Sequence, residues 1–220
     1  MSRCRCLFDH PALVWLAALA PFVIWPGIDL TVSGWFHDPA QGFVWRDFWL
    51  CRFVLKGLPP LIIGATVLAV LAGLVAAWRK RAVLGMTGRK AVYLLASLAL
   101  GPGLLVNALF KDHWHRARPS QIVEFGGQAH FTPVLQMADQ CAANCSFSSG
   151  HGALGFWLIA ASLLAASRWR GLAIVVASLA AVVVGVVRIA QGGHFLSDVV
   201  FSGLLVVSLS VWLHRRLGLR

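Results

Sequence analysis

Six apolar runs separated by polar stretches set out the chain: residues 12–28, 54–78, 92–110, 153–167, 172–187 and 199–213. Apolar residues continue through each run without the alternation that a membrane β-strand would show, so each is read as a helix. A ~30 Å hydrocarbon core takes about 20 residues of helix, and 220 residues leave room for about six such helices with short loops. The expectation is an all-α, polytopic membrane helical bundle, with residues 1–220 as one domain. The fourth and fifth runs are short, so their ends should lie deep in the interface. Pro59 and Pro60 at the start of the second are tolerable where neighbours satisfy the freed carbonyls. Arg3, Arg5 and Ala18-Leu19-Ala20 give the first run the outline of a cleavable signal. Pro21 would follow the cut directly, and apolar residues continue to Ile28, so the run reads as a retained helix.

Composition agrees: 59% hydrophobic residues, 12% charged residues and a mean hydropathy of +0.76 lie outside the soluble globular range. The net charge of +11 changes the picture by its distribution. With the N-terminus in the cytoplasm, twelve of the 19 Lys and Arg fall on that side, in the termini and in the loops around 79–90 and 168–170. The other seven, Arg46, Arg52, Lys56, Lys111, Arg116, Arg118 and Arg188, fall outside. That bias orients the bundle. Because the charges are scattered over short loops, anionic lipid headgroups rather than nucleic acid are the implied counter-ions.

The loop from Asp29 to Phe53 holds Trp35, Phe36, Phe43, Trp45, Phe48 and Trp49, as an aromatic belt does, and could equally form one wall of a lipid access site. Of five cysteines, Cys4 and Cys6 lie inside under this topology and Cys51, Cys141 and Cys145 outside. An oxidising exterior permits a bridge between Cys141 and Cys145 across a tight loop; free buried thiols are the alternative. Zinc on His113, His115, His130 and these cysteines would need a spacing that is not a standard zinc pattern.

Three strings concentrate polar chemistry at the ends of apolar runs. Lys111 and Arg118 are seven apart, so on a continuous helix they share a face and can hold one anion, with Pro119 ending the helix. Ser149-Gly150-His151 precedes a helix expected from about Gly152, where free N–H groups attract anions and glycine permits close approach. Arg188 closes the fifth run, and His194 and Asp198 are spaced as on consecutive helical turns. A carboxylate accepting one imidazole N–H would leave the other nitrogen as a nucleophile. Singly, each string has a structural explanation: snorkelling cations, an N-cap serine, a buried His-Asp pair.

In order along the chain they are Lys, six residues, Arg-Pro; Ser-Gly-His; then Arg, five residues, His, three residues, Asp. This resembles the type 2 phosphatidic acid phosphatase superfamily of integral membrane lipid phosphatases, with Ser148 where proline is common and Val187 where serine is common. The resemblance implies cofactor-free and metal-independent hydrolysis through a phosphohistidine, with His194 as nucleophile, Asp198 orienting it and His151 as general acid and base. Lys111, Arg118, Arg188, Ser149 and Gly150 would hold the phosphate. Phosphoryl transfer depends chiefly on positioned cations and N–H groups, so the inventory suits it. The substrate would be a membrane lipid phosphate: lipid A, phosphatidylglycerophosphate, phosphatidic acid or undecaprenyl diphosphate, with the aromatic loop favouring a bulky headgroup. In a Gram-negative host the site would face the periplasm from the inner membrane. A lipid phosphotransferase using the same phosphohistidine, a vanadate haloperoxidase and a transporter are the alternatives.

Overall fold

The computed structural model describes residues 11–111 and 113–219. Arg3, Arg5 and Arg220, assigned above to the cytoplasmic side, and Cys4 and Cys6 lie outside the described residues. The fold is an all-α bundle, as expected, and the one sheet among the described residues is a small antiparallel hairpin, β1 (His37–Asp38) with β2 (Gly42–Phe43).

The first apolar run is not one rod. Helix α1 (Pro11–Ile24) ends before Trp25-Pro26, and α2 (Gly27–Gly34) leaves at 81°. Proline has no N–H to continue the ladder and drives the preceding residue out of helical conformation, which accounts for the bend. Its consequence is positional: Asp29, in the first turn of α2, is turned into the bundle and is 1% exposed.

Helix α3 (Trp49–Lys56) runs through Gly57 into α4 (Leu58–Trp78), which carries Pro59 and Pro60 in its first turn. Their missing N–H groups free carbonyls of the preceding turn, and one of these, Leu55, lies 3.0 Å from His151 Nε2. After α5 (Gly88–Leu98), capped by the Thr87 hydroxyl, the chain continues to Lys111 with π-helical winding around Pro102. The Asn107 side-chain amide donates to the Pro102 carbonyl at 2.7 Å, five residues back along that winding.

Helices α6 (Gly150–Ser162), α7 (Ser167–Ala190) and α8 (Leu196–Arg216) follow. Among the described residues, four helical stretches are long and apolar enough to cross a membrane, and five if the bent α1–α2 pair counts as one. The sixth expected crossing differs, because the fourth run forms only the 13-residue α6. That helix is the centre of the bundle. Ala153 and Ala160 are fully buried, and Gly155 lets α7 approach at Ala181 and Val184. The Trp157 indole donates to Ser97 Oγ at 2.9 Å and the Tyr93 hydroxyl to the Ala160 carbonyl at 3.2 Å. Buried polar contacts of this kind bind helices together where lipid removes the hydrophobic drive, at about 0.6 kcal/mol each. Leu61 and Leu68 on α4 and Val175, Leu179 and Val182 on α7 point outward and give the bundle the apolar exterior of an integral membrane protein.

Candidate active site

The three strings converge at one end of the bundle. Lys111 closes the π-wound segment, Ser149, Gly150 and His151 open α6, Arg188 lies in the last turn of α7, and Asp198 lies in the first turn of α8. His194 sits in the turn between α7 and α8 and is fully buried.

His194 differs from expectation in its partner. Its Nδ1 lies 2.7 Å from the Ser146 carbonyl and 3.9 Å from Asp198 Oδ2, beyond hydrogen-bond range. A carbonyl can only accept, so Nδ1 carries the hydrogen and Nε2 keeps its lone pair. That Nε2 is buried without a hydrogen-bond partner among the described residues. Burial, and then the charges of Arg188, Lys111 and Arg118, hold the ring well below the usual histidine range; the Ser146 bond works in the other direction. The ring is therefore neutral, with its free nitrogen in the field of three cations.

Asp198 is linked to the imidazole through one intervening residue. Its Oδ2 accepts from the Ser146 hydroxyl at 2.5 Å and the Phe195 N–H at 2.9 Å, while its Oδ1 accepts from Arg116 Nη1 at 2.5 Å. Ser146 thus joins carboxylate and ring, its hydroxyl on one and its carbonyl on the other.

The second departure concerns Lys111 and Arg118, which do not share a helix. The chain leaves helical geometry after His113, His115 has φ +49°, and Arg118 is extended ahead of Pro119. The proline excludes helix at Arg118, and Ser146 N–H draws residue 116 into pairing by donating to its carbonyl at 2.8 Å. Arg118 is seated instead by the Asn144 carbonyl, which accepts from Nε at 2.9 Å and Nη2 at 2.6 Å. Asn144 belongs to the loop closed by a Cys141–Cys145 disulfide, with the Cα atoms 5.7 Å apart. Among the described residues no three His, Cys, Asp or Glu side chains converge as a metal would need.

Arg188 is 4% exposed, its Nη1 hydrogen-bonded to the Gln191 side chain. Gln191 in turn donates to the Cys51 carbonyl at 3.1 Å and the Arg46 carbonyl at 3.3 Å, tying α7 to the start of α3. The guanidinium crosses the face of Gly193, where a Cβ would stand 2.9 Å from Cζ. Arg188 Nε and the Ser148 hydroxyl are also buried without partners among the described residues. Ser149 caps α6, its hydroxyl accepting from Gly152 N–H at 3.2 Å, so the helix starts two residues earlier than expected. A Cβ at Gly150 would come within 2.6 Å of Asn107 Oδ1. His151 Nε2 is 3.0 Å from the Leu55 carbonyl and must donate to it, which leaves Nδ1 with its lone pair.

Three cations, an α-helix N-terminus and an unpartnered, buried imidazole nitrogen grouped at one end of the bundle suit an oxyanion. The sequence profile of the PAP2 superfamily matches residues 90–219, which include every residue of the three strings. The chain belongs to the PAP2 superfamily. This PAP2 chain is similar over nearly its whole length to proteins named lipid A 4'-phosphatase. The one from Francisella tularensis subsp. novicida (strain U112) is 37% identical over 204 residues, covering 87% of this chain and 86% of the relative. The one from Rhizobium leguminosarum is 33% identical over 208 residues, covering 87% and 88%. No solved structure matches. Spacing within the PAP2 strings had not pointed to Ser146, Gln191, Arg116 or Asp29. Arg116 was visible as a cation inside the first string, and Asp29 as an acid at the end of an apolar run, a position that is functional by default.

Proposed function

We propose that this protein is an integral membrane phosphatase that removes a phosphate monoester from lipid A or a lipid with a similar saccharide headgroup, through a phosphohistidine at His194. The observation that carries the reading is the His194 ring, with Nδ1–H fixed on the Ser146 carbonyl and Nε2 free beside Arg188, Lys111 and Arg118. Nε2 attacks phosphorus and the bond to the lipid oxygen breaks. Arg188, Lys111, Arg118, the Ser149 hydroxyl and the Gly150 N–H take up the charge on the equatorial oxygens. His151 passes a proton from Nδ1 to the departing oxygen; that proton arrives with the monoanionic phosphate. Water then attacks the phosphohistidine and gives a proton to His151; the Nε2–phosphorus bond breaks, and inorganic phosphate leaves with that proton, returning His151 to its neutral form. In this scheme no step requires a metal, since three cations neutralise the transition state.

Two features favour a saccharide headgroup over a glycerol one. The curated relatives carry that activity in their names. Beside the site, a polar-rimmed cavity of about 400 Å³ is lined by Gln41, Arg46, Asp47, Ser120 and Phe125. It borders the turn that presents His194: Phe43 packs on Gly192, whose carbonyl accepts from Ser120 N–H at 3.1 Å. In the inner membrane, with this end of the bundle in the periplasm, the pocket meets the headgroup of outer-leaflet lipid A. The test is phosphate release by the purified protein in detergent from lipid A, phosphatidic acid, phosphatidylglycerophosphate and undecaprenyl diphosphate, with and without chelator. Chelator-insensitive release, fastest from lipid A, is expected. Preference for a glycerophospholipid would overturn the substrate assignment, and loss of release with chelator would overturn the metal-free route.

A further inference from the structure

Behind the site lies a buried ionic cluster that the proposed chemistry does not use. Asp29 of α2 accepts from Ser197 N–H at 2.9 Å (Oδ1), and from Ser197 Oγ at 2.5 Å and Arg116 Nη2 at 2.9 Å (Oδ2). Arg116, fully buried, donates through Nη1 to Asp198 at 2.5 Å and to Ser197 Oγ at 2.9 Å, and through Nε to the Thr132 carbonyl at 2.8 Å. Its guanidinium lies 4.3 Å from the centroid of the Phe195 ring, next in sequence to His194. Arg116 meets Ser146 twice, through its own carbonyl and through Asp198, and Ser146 is the acceptor that fixes the imidazole.

A salt bridge that only held helices together would need one carboxylate. Here one guanidinium stands between two, so with both carboxylates ionised the three side chains sum to one negative charge, and Asp198 is the member that faces His194, with Oδ2 3.9 Å from Nδ1. Arg116 alone would neutralise Asp198. Asp29 on its far side offsets Arg116 and leaves the field of Asp198 on the imidazole. The other charges acting on His194 are Arg188 from α7, Lys111 from the π-wound segment and Arg118 from the extended segment, all positive. Asp198 is thus the counter-charge available when His194 turns cationic on bonding to phosphorus.

We propose that Asp29 and Arg116 are positioning residues for the phosphatase reaction: Asp29 offsets Arg116, Arg116 seats Asp198 and Ser146, and the pair keeps the imidazole both aligned and negatively backed. The proposal rests on the reading of His194 as the attacking nitrogen. It assigns a role to the bend at Pro26, which delivers Asp29 from the first helix pair to the opposite end of the chain.

The test compares Asp29→Asn and Asp29→Glu in the purified full chain, with lipid A as substrate and orthovanadate as inhibitor. Vanadate takes an axial imidazole nitrogen and so reports on the transition-state arrangement at Nε2, whatever fraction of the preparation is folded. Asn keeps the size of Asp and removes its charge; Glu keeps the charge and crowds a closed site. If charge is what acts, kcat ranks wild type, Glu, Asn. Asn is expected to lower kcat and raise the vanadate Ki by about 10- to 100-fold, the range for residues that orient a functional histidine, with KM within about threefold. If the cluster only packs, Glu is the more damaging change, and vanadate Ki stays at the wild-type value in both while thermal stability falls. That ranking overturns the proposal, as does an Asn variant with wild-type kcat and Ki. Should Asn yield no folded protein, Arg116→Lys decides by the same Ki criterion, since it keeps the charge of the cluster but not the two-handed seat between Asp29 and Asp198: a raised Ki supports the proposal, and a Ki within threefold of wild type overturns it. A wild-type protein that releases no phosphate or ignores vanadate instead removes the reading of His194, before any variant is made.

Discussion

Gly193→Ala should cost the protein most of its activity and little of its stability. Gly193 lies outside the left-handed backbone region, so alanine meets no conformational penalty there. The penalty is local: the new Cβ overlaps Arg188 Nη2, stands 2.9 Å from Cζ and 3.3 Å from the Arg188 carbonyl. To regain van der Waals contact the guanidinium has to retreat by about 1 Å, and a misplacement of that size at a reacting centre costs about 10²-fold in rate. That equals about 2.7 kcal/mol of transition-state stabilisation. Arg188 cannot evade the clash toward solvent, being 4% exposed and tied to Gln191. Phosphate release from lipid A in detergent micelles gives kcat/KM, with a melting curve on the same sample. Gly171→Ala, in α7 with nothing near the added carbon, is the control and should match wild type. A Gly193→Ala protein within threefold of wild type would refute the idea that the placement of Arg188 limits the reaction.

Three further outcomes follow from the geometry. His194→Ala should lose essentially all turnover while inserting and melting like wild type; most activity retained in a folded sample contradicts its role. Because the folded state holds His194 well below 6.5, the unfolded chain binds a proton below that pH that the native protein does not. Stability should therefore be level above about pH 6.5 and fall as pH drops below it, and His194→Gln should flatten part of the slope; a melting temperature that rises on acidification contradicts this. Cys141 and Cys145 should react with maleimide only after reduction, and reduction should raise KM severalfold with less effect on kcat, since their loop holds the Asn144 carbonyl under Arg118. Ready labelling of both without reductant contradicts the bridge.

How much of this was legible in the chain depended on range. Continuous apolar runs announce helices because lipid demands internal hydrogen bonding throughout a span, and the helical architecture followed. What failed was decided by contacts between distant segments. The bend at Pro26 is a local signal, yet its direction is set by where Asp29 finds Arg116, 87 residues away. Lys111 and Arg118 looked like neighbours on a helix; Pro119 marked an end, but the break falls earlier because residue 116 pairs with Ser146. For His194, the four-residue step to Asp198 suggested a direct bond, whereas Ser146, 48 residues back, is the partner. The residues that would touch phosphate stood out because charge is conspicuous in an apolar chain. Those that orient them, Ser146, Gln191 and Asp29, look ordinary until the fold assembles them.

The central claim is that His194 Nε2 bonds to phosphorus. Protein incubated briefly with lipid A carrying radiolabelled phosphate, quenched in alkaline detergent and digested, should yield an acid-labile, base-stable label on the peptide containing His194, absent from His194→Ala. Label on another residue, or single-turnover phosphate release with no label in the protein at any time, would contradict it.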